Sequence, residues 1–178
     1  GIAIEVLMEC GGTCDAQGFR VDGNRIGEDE GGNTPFRGIL FTAPSGTTSP
    51  SPIEDVSISE NQIRVGDGYG IDAHFSQVSD SPYTLYNVKV DRNQIRVLTG
   101  GHGIALNATC NFRVMSVSGN NVQGIAGLLS TYTHGIRLYH EFTTAEAQQD
   151  SANPVYVVGT TVSAGPPIPL YDMIYDPA

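Results

Sequence analysis

Val56-Ser57-Ile58-Ser59-Glu60-Asn61-Gln62-Ile63, followed by Gly68-Tyr69-Gly70-Ile71, carries the pattern that sets this chain's fold. Apolar residues alternate with polar ones, an Asn falls five places after the first apolar residue, and a Gly-Ile pair closes the unit. Alternation with period two is the signature of a strand with one buried face, and a helix would need apolar residues three and four apart. The same pattern returns from Val88 to Ile95 around Asn93, closed by Gly101-His102-Gly103-Ile104. Working outward, it recurs from Phe19 to Ile26 around Asn24 and from Met115 to Val122 around Asn120. A degenerate copy from Val155 to Val162 carries Thr160 in the Asn position. The Gly-Ile pairs are Gly1-Ile2, Gly38-Ile39, Gly70-Ile71, Gly103-Ile104 and Gly135-Ile136, at intervals of 37, 32, 33 and 32 residues. From each of the first three pairs to its Asn the distance is 23 residues.

A unit of about 32 residues with at least two short strands cannot bury its apolar face alone. It is expected to wind once round an axis and to stack its strands in parallel on those of the next unit. About five coils result, an all-β solenoid. The Asn positions Asn24, Asn61, Asn93 and Asn120 are expected to form an inward ladder. Each amide would bond the next side chain and turn groups that would otherwise be buried without partners. The glycines before Ile are expected at a recurring turn. Thr144 to Asp150 is the best candidate for a turn or two of helix.

The two complete units, Val56 to Ile71 and Val88 to Ile104, resemble the right-handed parallel β-helix repeats of the pectin-lyase-like superfamily. The resemblance runs over roughly residues 1–163. It implies a right-handed single-stranded parallel β-helix. For function it implies a range: pectate lyases, polygalacturonases, epimerases, phage tailspikes, adhesins and passive structural segments share this architecture. Fold alone does not choose among them.

Composition narrows the range. Nine basic residues stand against nineteen acidic ones, for a net charge of −10, and Lys89 is the only lysine. Such a chain lacks the basic stripe that phosphate neutralisation needs, so nucleic acid is not expected as a partner. An anionic membrane surface is disfavoured for the same reason. No apolar run is long enough for a membrane-spanning helix. The charge also works against an acidic polysaccharide as substrate.

In a stacked solenoid equivalent positions form columns. The residue before Gly-Ile gives Arg37, Tyr69, His102 and His134, and the residue after it gives Ala3, Leu40, Asp72, Ala105 and Arg137. The residue after the ladder Asn gives Arg25, Gln62, Gln94, Asn121 and Thr161. Aromatic faces stack on sugar rings and planar polar groups bond paired hydroxyls. The candidate ligand-binding residues are therefore Tyr69, His102, His134, Arg37 and Arg137. Gly101-His102-Gly103 is similar to a short element of polygalacturonase-like glycosidases, but the adjacent Asp-Asp pair and the Asn-Thr-Asp element of that family are missing. If the chain is an enzyme, His102, Asp72, Asp67 and Arg96 are the candidates, since glycosidic bond cleavage needs paired carboxylates and lyase chemistry needs a base. Arg64 and Arg96 occupy equivalent Ile-Arg-Val positions and would stack. Glu28, Asp29 and Glu30 form an acidic loop without a spaced calcium motif and are read as solvated, so no cofactor is expected; calcium held by their oxygens is the alternative. No nucleophile-elbow or phosphate-loop motif appears.

Cys10, Cys14 and Cys110 are an odd set. All three reduced is the default reading, and a small local disulfide between Cys10 and Cys14 is the alternative. Residues 1–164 are read as the repeats. Residues 165–178 are read as a Pro-rich C-terminal cap or tail that folds over the last coil or docks on a partner. The open coil ends invite other segments or chains, including another copy of this one. The resulting expectation is a non-catalytic structural or carbohydrate-recognising segment of an extracellular, cell-surface or virion protein such as a phage fibre. The alternative is a polysaccharide hydrolase, lyase or epimerase, or a fragment of one.

Overall fold

The computed structural model describes residues 1–7, 16–27, 35–43, 53–66, 68–75, 84–98, 102–108, 111–112, 115–124, 134–142, 155–158, 161–163 and 171–177. Cys10, Cys14, Cys110, Glu28, Asp29, Glu30, Asp67, Thr160 and the Thr144–Asp150 segment lie outside the described residues.

The described residues form strands and their turns, with no helix. In chain order the strands are β1 (Ile2–Leu7), β2 (Ala16–Gln17), β3 (Arg20–Asp22) and β4 (Arg25–Ile26); then β5 (Arg37–Ala43), β6 (Ile53–Glu54), β7 (Ser57–Ser59) and β8 (Gln62–Val65). The same set returns as β9 (Tyr69–Phe75), β10 (Thr84–Tyr86), β11 (Val88–Asp91) and β12 (Gln94–Val97), and as β13 (His102–Ala108), β14 (Asn111–Phe112), β15 (Met115–Ser118) and β16 (Asn121–Gly124). β17 (His134–Phe142), β18 (Val155–Val158), β19 (Thr161–Ser163) and β20 (Tyr171–Pro177) follow.

Strands of equivalent position pair with one another and not with their chain neighbours. The first sheet runs β1-β5-β9-β13-β17-β20, the second β14-β10-β6-β2, the third β18-β15-β11-β7-β3 and the fourth β19-β16-β12-β8-β4. Every pairing is parallel. The fold is therefore all-β, with stacked parallel sheets of the kind a parallel β-helix winds. The register links Ile39, Ile71, Ile104 and Ile136, the residues that follow the repeated Gly. It corrects the first copy. Ile4, not Ile2, pairs with Ile39, so Glu5 and not Ala3 stands in the column of Leu40 and Asp72. Gly1-Ile2 is an offset match to the motif.

Parallel strands usually bury both faces. In the third and fourth sheets the alternation in sequence survives as one-sided burial, buried-exposed-buried along β11 and exposed-buried-exposed-buried along β12, whereas β9 in the first sheet is buried on both faces. The inward set forms one core that includes Ile39, Ile71, Ile104 and Ile136 from the first sheet, Ile58 and Val90 from the third, and Ile63 and Ile95 from the fourth. Each such side chain removed from water stabilises by about 1.5–3 kcal/mol. Size is compensated between strands. Phe41 is in register with Ala73, and Phe75 with Ala43. The Phe41 and Phe75 rings therefore meet across the stack, centroids 5.4 Å apart.

The recurring glycine is explained by packing rather than by a turn. Gly38, Gly70 and Gly103 lie inside their strands. A Cβ on Gly70 would come within 2.4 Å of Ile95 Cγ2 and 2.6 Å of the Gly103 carbonyl oxygen, and Gly38 and Gly103 are hemmed in the same way. Turn chemistry sits elsewhere, in the residue before the ladder Asn. Gly23, Glu60, Arg92 and Gly119 all adopt positive φ, between 52° and 67°. Gly23, Glu60 and Arg92 each donate a backbone N–H to the carbonyl just before the equivalent residue of the next unit: Ser59, Asp91 and Ser118. That left-handed residue reverses the chain from the third sheet to the fourth.

Candidate functional site

The turn places each ladder Asn inward. Asn61, Asn93 and Asn120 are almost fully buried. Asn61 Nδ2 donates to Asn93 Oδ1 at 2.9 Å and to the Val21 carbonyl at 2.8 Å. Its own Oδ1 accepts from the backbone N–H and the Nδ2 of Asn24, both at 3.0 Å. Asn93 repeats this with Asn120, the Ile58 carbonyl and Asn61. All four hydrogen-bonding capacities of each amide are used. The ladder is occupied with itself and leaves Asn61 and Asn93 no capacity for a ligand.

The chemistry on the outside gathers on the first sheet. The register aligns Arg37, Tyr69, His102 and His134 in one column. It aligns Leu40, Asp72, Ala105, Arg137 and Asp172 in another. Asp72 thus stands between two apolar residues of its column and is only 1% exposed. A carboxylate buried there needs a cation. Arg37 supplies it, Nε to Asp72 Oδ2 at 2.6 Å. The Arg37 guanidinium also faces two rings, 5.4 Å from the centroid of Phe36 and 5.5 Å from that of Tyr69, a distance at which the π-face attracts a cation. The rings continue as a ladder: Phe36 to Tyr69 at 6.0 Å, nearly perpendicular, then Tyr69 to His102 at 4.9 Å, tilted by 38°. Phe36 is 42% exposed and His102 is buried, so the column opens to solvent at its Phe36 end.

Residue by residue, Arg37, Tyr69, Asp72 and His102 come together. His134 and Arg137 occupy the next strand, in register with His102 and Ala105. Arg96 lies on a different sheet, exposed on β12 and in register with Arg64 and Gln123. Two residues escaped the column reading. His74 Nε2 approaches Asp72 Oδ1 to 2.7 Å, although Oδ1 accepts no aligned hydrogen bond. Two residues beyond Asp72 on a strand, His74 shares its face, and the period-two rule would have found it. Phe36 sits in the turn just before β5, where periodicity gives no signal.

A second concavity of about 620 Å³ lies on the outer face of the third sheet. Its cations Arg20, Lys89 and Arg92 are interleaved with Asp22, Asp55, Glu60 and Asp91. Arg92 donates to Glu60 Oε1 at 2.9 Å. That hydrogen bond, with the nearby charge of Asp91, raises the Arg92 guanidinium above its ordinary range, so it stays a fixed cation. Ser59 Oγ donates to Asp22 Oδ1 at 2.6 Å. Arg92 thus pairs with both Glu60 and Asp91.

Among the described residues no group of three or more His, Cys, Asp or Glu gathers closely enough to hold a metal ion, and no helix is long and apolar enough to cross a membrane. No protein family matches this sequence, and no curated protein or solved structure is significantly similar to it.

Proposed function

We propose that the chain is a right-handed parallel β-helix segment of about five coils, of the pectin-lyase-like kind. It recognises carbohydrate without transforming it, as part of an extracellular, cell-surface or virion fibre protein. Handedness follows from the strong right-handed preference of crossovers between parallel strands. The observation that carries the non-catalytic reading is the state of Asp72. Its carboxylate is 1% exposed and bound to Arg37, and the described residues of the first-sheet site offer no second carboxylate beside it. Acid and base work on a glycosidic bond needs two carboxyl groups about 5–9.5 Å apart, both able to reach the sugar. The exposed Phe36 ring, backed by the Arg37 guanidinium and Tyr69, suits stacking on a sugar face. At the edge of the first sheet, β1 pairs on one side only among the described strands, which suits further coils or another copy of the chain.

A glycan array with parallel assays for reducing ends and for unsaturated products tests this. Binding that weakens in Phe36→Ala and Tyr69→Ala, with no product formed, is the expected result. Turnover abolished by Asp72→Asn would overturn it. One observation favours the alternative, a polysaccharide-active enzyme. The part-exposed His74 imidazole is held against a buried carboxylate, an arrangement that orients a general base. Turnover lost in His74→Ala would establish that reading instead.

A further inference from the structure

The outer face of the fourth sheet carries a trough of about 560 Å³ that the first-sheet site does not include. Two columns line it. Arg25, Gln62, Gln94 and Asn121 form one, and Arg64, Arg96 and Gln123 stand in register in the other. None of the described lining residues is acidic. On a chain of net charge −10 with only nine basic residues, Arg64 and Arg96 side by side, with no carboxylate among the described lining residues, are a local departure from the composition. Arg37 and Arg92 both rest on carboxylates. Arg64 and Arg96 are direct register partners on adjacent strands, about 4.8 Å apart at the backbone, so their charges repel unless an anion lies between them. Arg64 Nε is buried and has no hydrogen-bond partner among the described residues. A donor in that state is aimed at an acceptor that the described chain does not supply.

From this geometry we propose that the outer face of the fourth sheet binds a carboxylated glycan, with Arg64 and Arg96 on its carboxylates and Gln62, Gln94, Asn121 and Gln123 on its hydroxyls. The proposal rests on the carbohydrate-recognition reading and names the ligand class and the face. A guanidinium offers paired N–H donors that match a carboxylate's two oxygens. A side-chain amide offers donors and an acceptor together, which suits a hydroxyl, itself both donor and acceptor. A phosphodiester backbone accepts only, and would leave the amide oxygens unpaired. The trough's described lining also has no aromatic ring on which a base could stack. The overall negative charge opposes long-range attraction of such a ligand, so binding depends on these short-range pairs.

Isothermal titration of the full chain with alginate oligosaccharides, neutral dextran oligosaccharides of equal length, dextran sulfate and a single-stranded oligonucleotide tests this. Alginate is expected to bind at least about tenfold more tightly than dextran, as hydrogen bonds to charged groups are strong enough to give. Arg64→Gln and Arg96→Gln should each remove most of that preference while leaving the melting midpoint unchanged. Arg96 is exposed, so its variant stays informative if the half-buried Arg64 variant folds poorly. Alginate no tighter than dextran, or a preference untouched by both substitutions, overturns the proposal. Tight binding of dextran sulfate or oligonucleotide without alginate does the same. Dextran binding that persists while the alginate preference is absent overturns this inference and leaves carbohydrate recognition standing. Turnover of any of these glycans overturns the non-catalytic reading and leaves the anionic site standing.

Discussion

Asn61 donates both its backbone N–H and its side-chain Nδ2 to one oxygen of Asn93, 32 residues on, at 3.0 and 2.9 Å. The bond joins two turns as well as two side chains, because each Asn follows directly on a left-handed residue that reverses the chain. Turn geometry and interior packing are thus held by the same residue.

Asn93→Leu should therefore cost more than an ordinary core polar change. It strands the Asn61 backbone N–H and one Nδ2 hydrogen of Asn61, and takes a donor from the Asn120 Oδ1 and from the Ile58 carbonyl, while Asn120 Oδ1 keeps the backbone N–H of residue 93. With each buried unpaired group worth about 1–3 kcal/mol, a loss of at least about 2 kcal/mol is expected by urea unfolding. Asn24→Leu, at a partly exposed end of the ladder, should cost less. Equal losses would show that the ladder is not the reason.

Gly70→Ala tests the packing account of the repeated glycine. The added methyl would overlap Ile95 Cγ2 and the Gly103 carbonyl, and such overpacking costs about 1–3 kcal/mol. Gly18→Ala meets nothing within 4 Å and has only its φ of +74° against it. Left-handed strain costs an L-residue about 1–2 kcal/mol. The melting midpoint should fall further for Gly70→Ala than for Gly18→Ala. The reverse order would return the repeated glycine to a turn role.

The Arg37–Asp72 pair calls for a double-mutant cycle. Arg37→Gln leaves the buried carboxylate between Leu40 and Ala105 with only the His74 imidazole beside it, at an expected cost of about 2–4 kcal/mol, toward the lower end because the arginine side chain is 31% exposed. Adding Asp72→Asn removes the stranded charge and should restore about half of the loss. A double variant no more stable than Arg37→Gln would mean that the charge pairing contributes nothing.

Arg92 adopts a φ of 52° where Gly23 and Gly119 stand in the equivalent positions. Arg92→Gly relieves that strain and forfeits ion pairs with Glu60 and Asp91 at an exposed guanidinium, where such pairs contribute little. The two effects should nearly cancel in chemical denaturation. Arg92→Val combines the same loss with a β-branched side chain at positive φ and should destabilise clearly.

Much of the fold was legible because a solenoid writes its structure locally. The period of about 32 residues, the alternation of apolar residues and the recurring Asn are all visible within single units, and each constrains the strand it lies in. The columns after Gly38, Gly70 and Gly103 and after Asn24, Asn61 and Asn93 follow once a register is chosen. The sites were less legible. Asp72 reads as one more polar residue on an outward column, and nothing in its neighbours shows that it is buried against a guanidinium 35 residues away. Phe36 has no periodic partner at all.

By itself the sequence determined that the chain is built of repeated, one-face-buried strands punctuated by Asn and Gly, since side-chain alternation and turn preference are short-range properties. Only the tertiary structure decided that Ile4 rather than Ile2 pairs with Ile39. The same is true of the glycine's role in making room for a neighbouring isoleucine, and of the grouping of Arg37, Asp72 and His74. These depend on which residue lies directly across a parallel pairing, and one step of slip would turn every side chain to the other face.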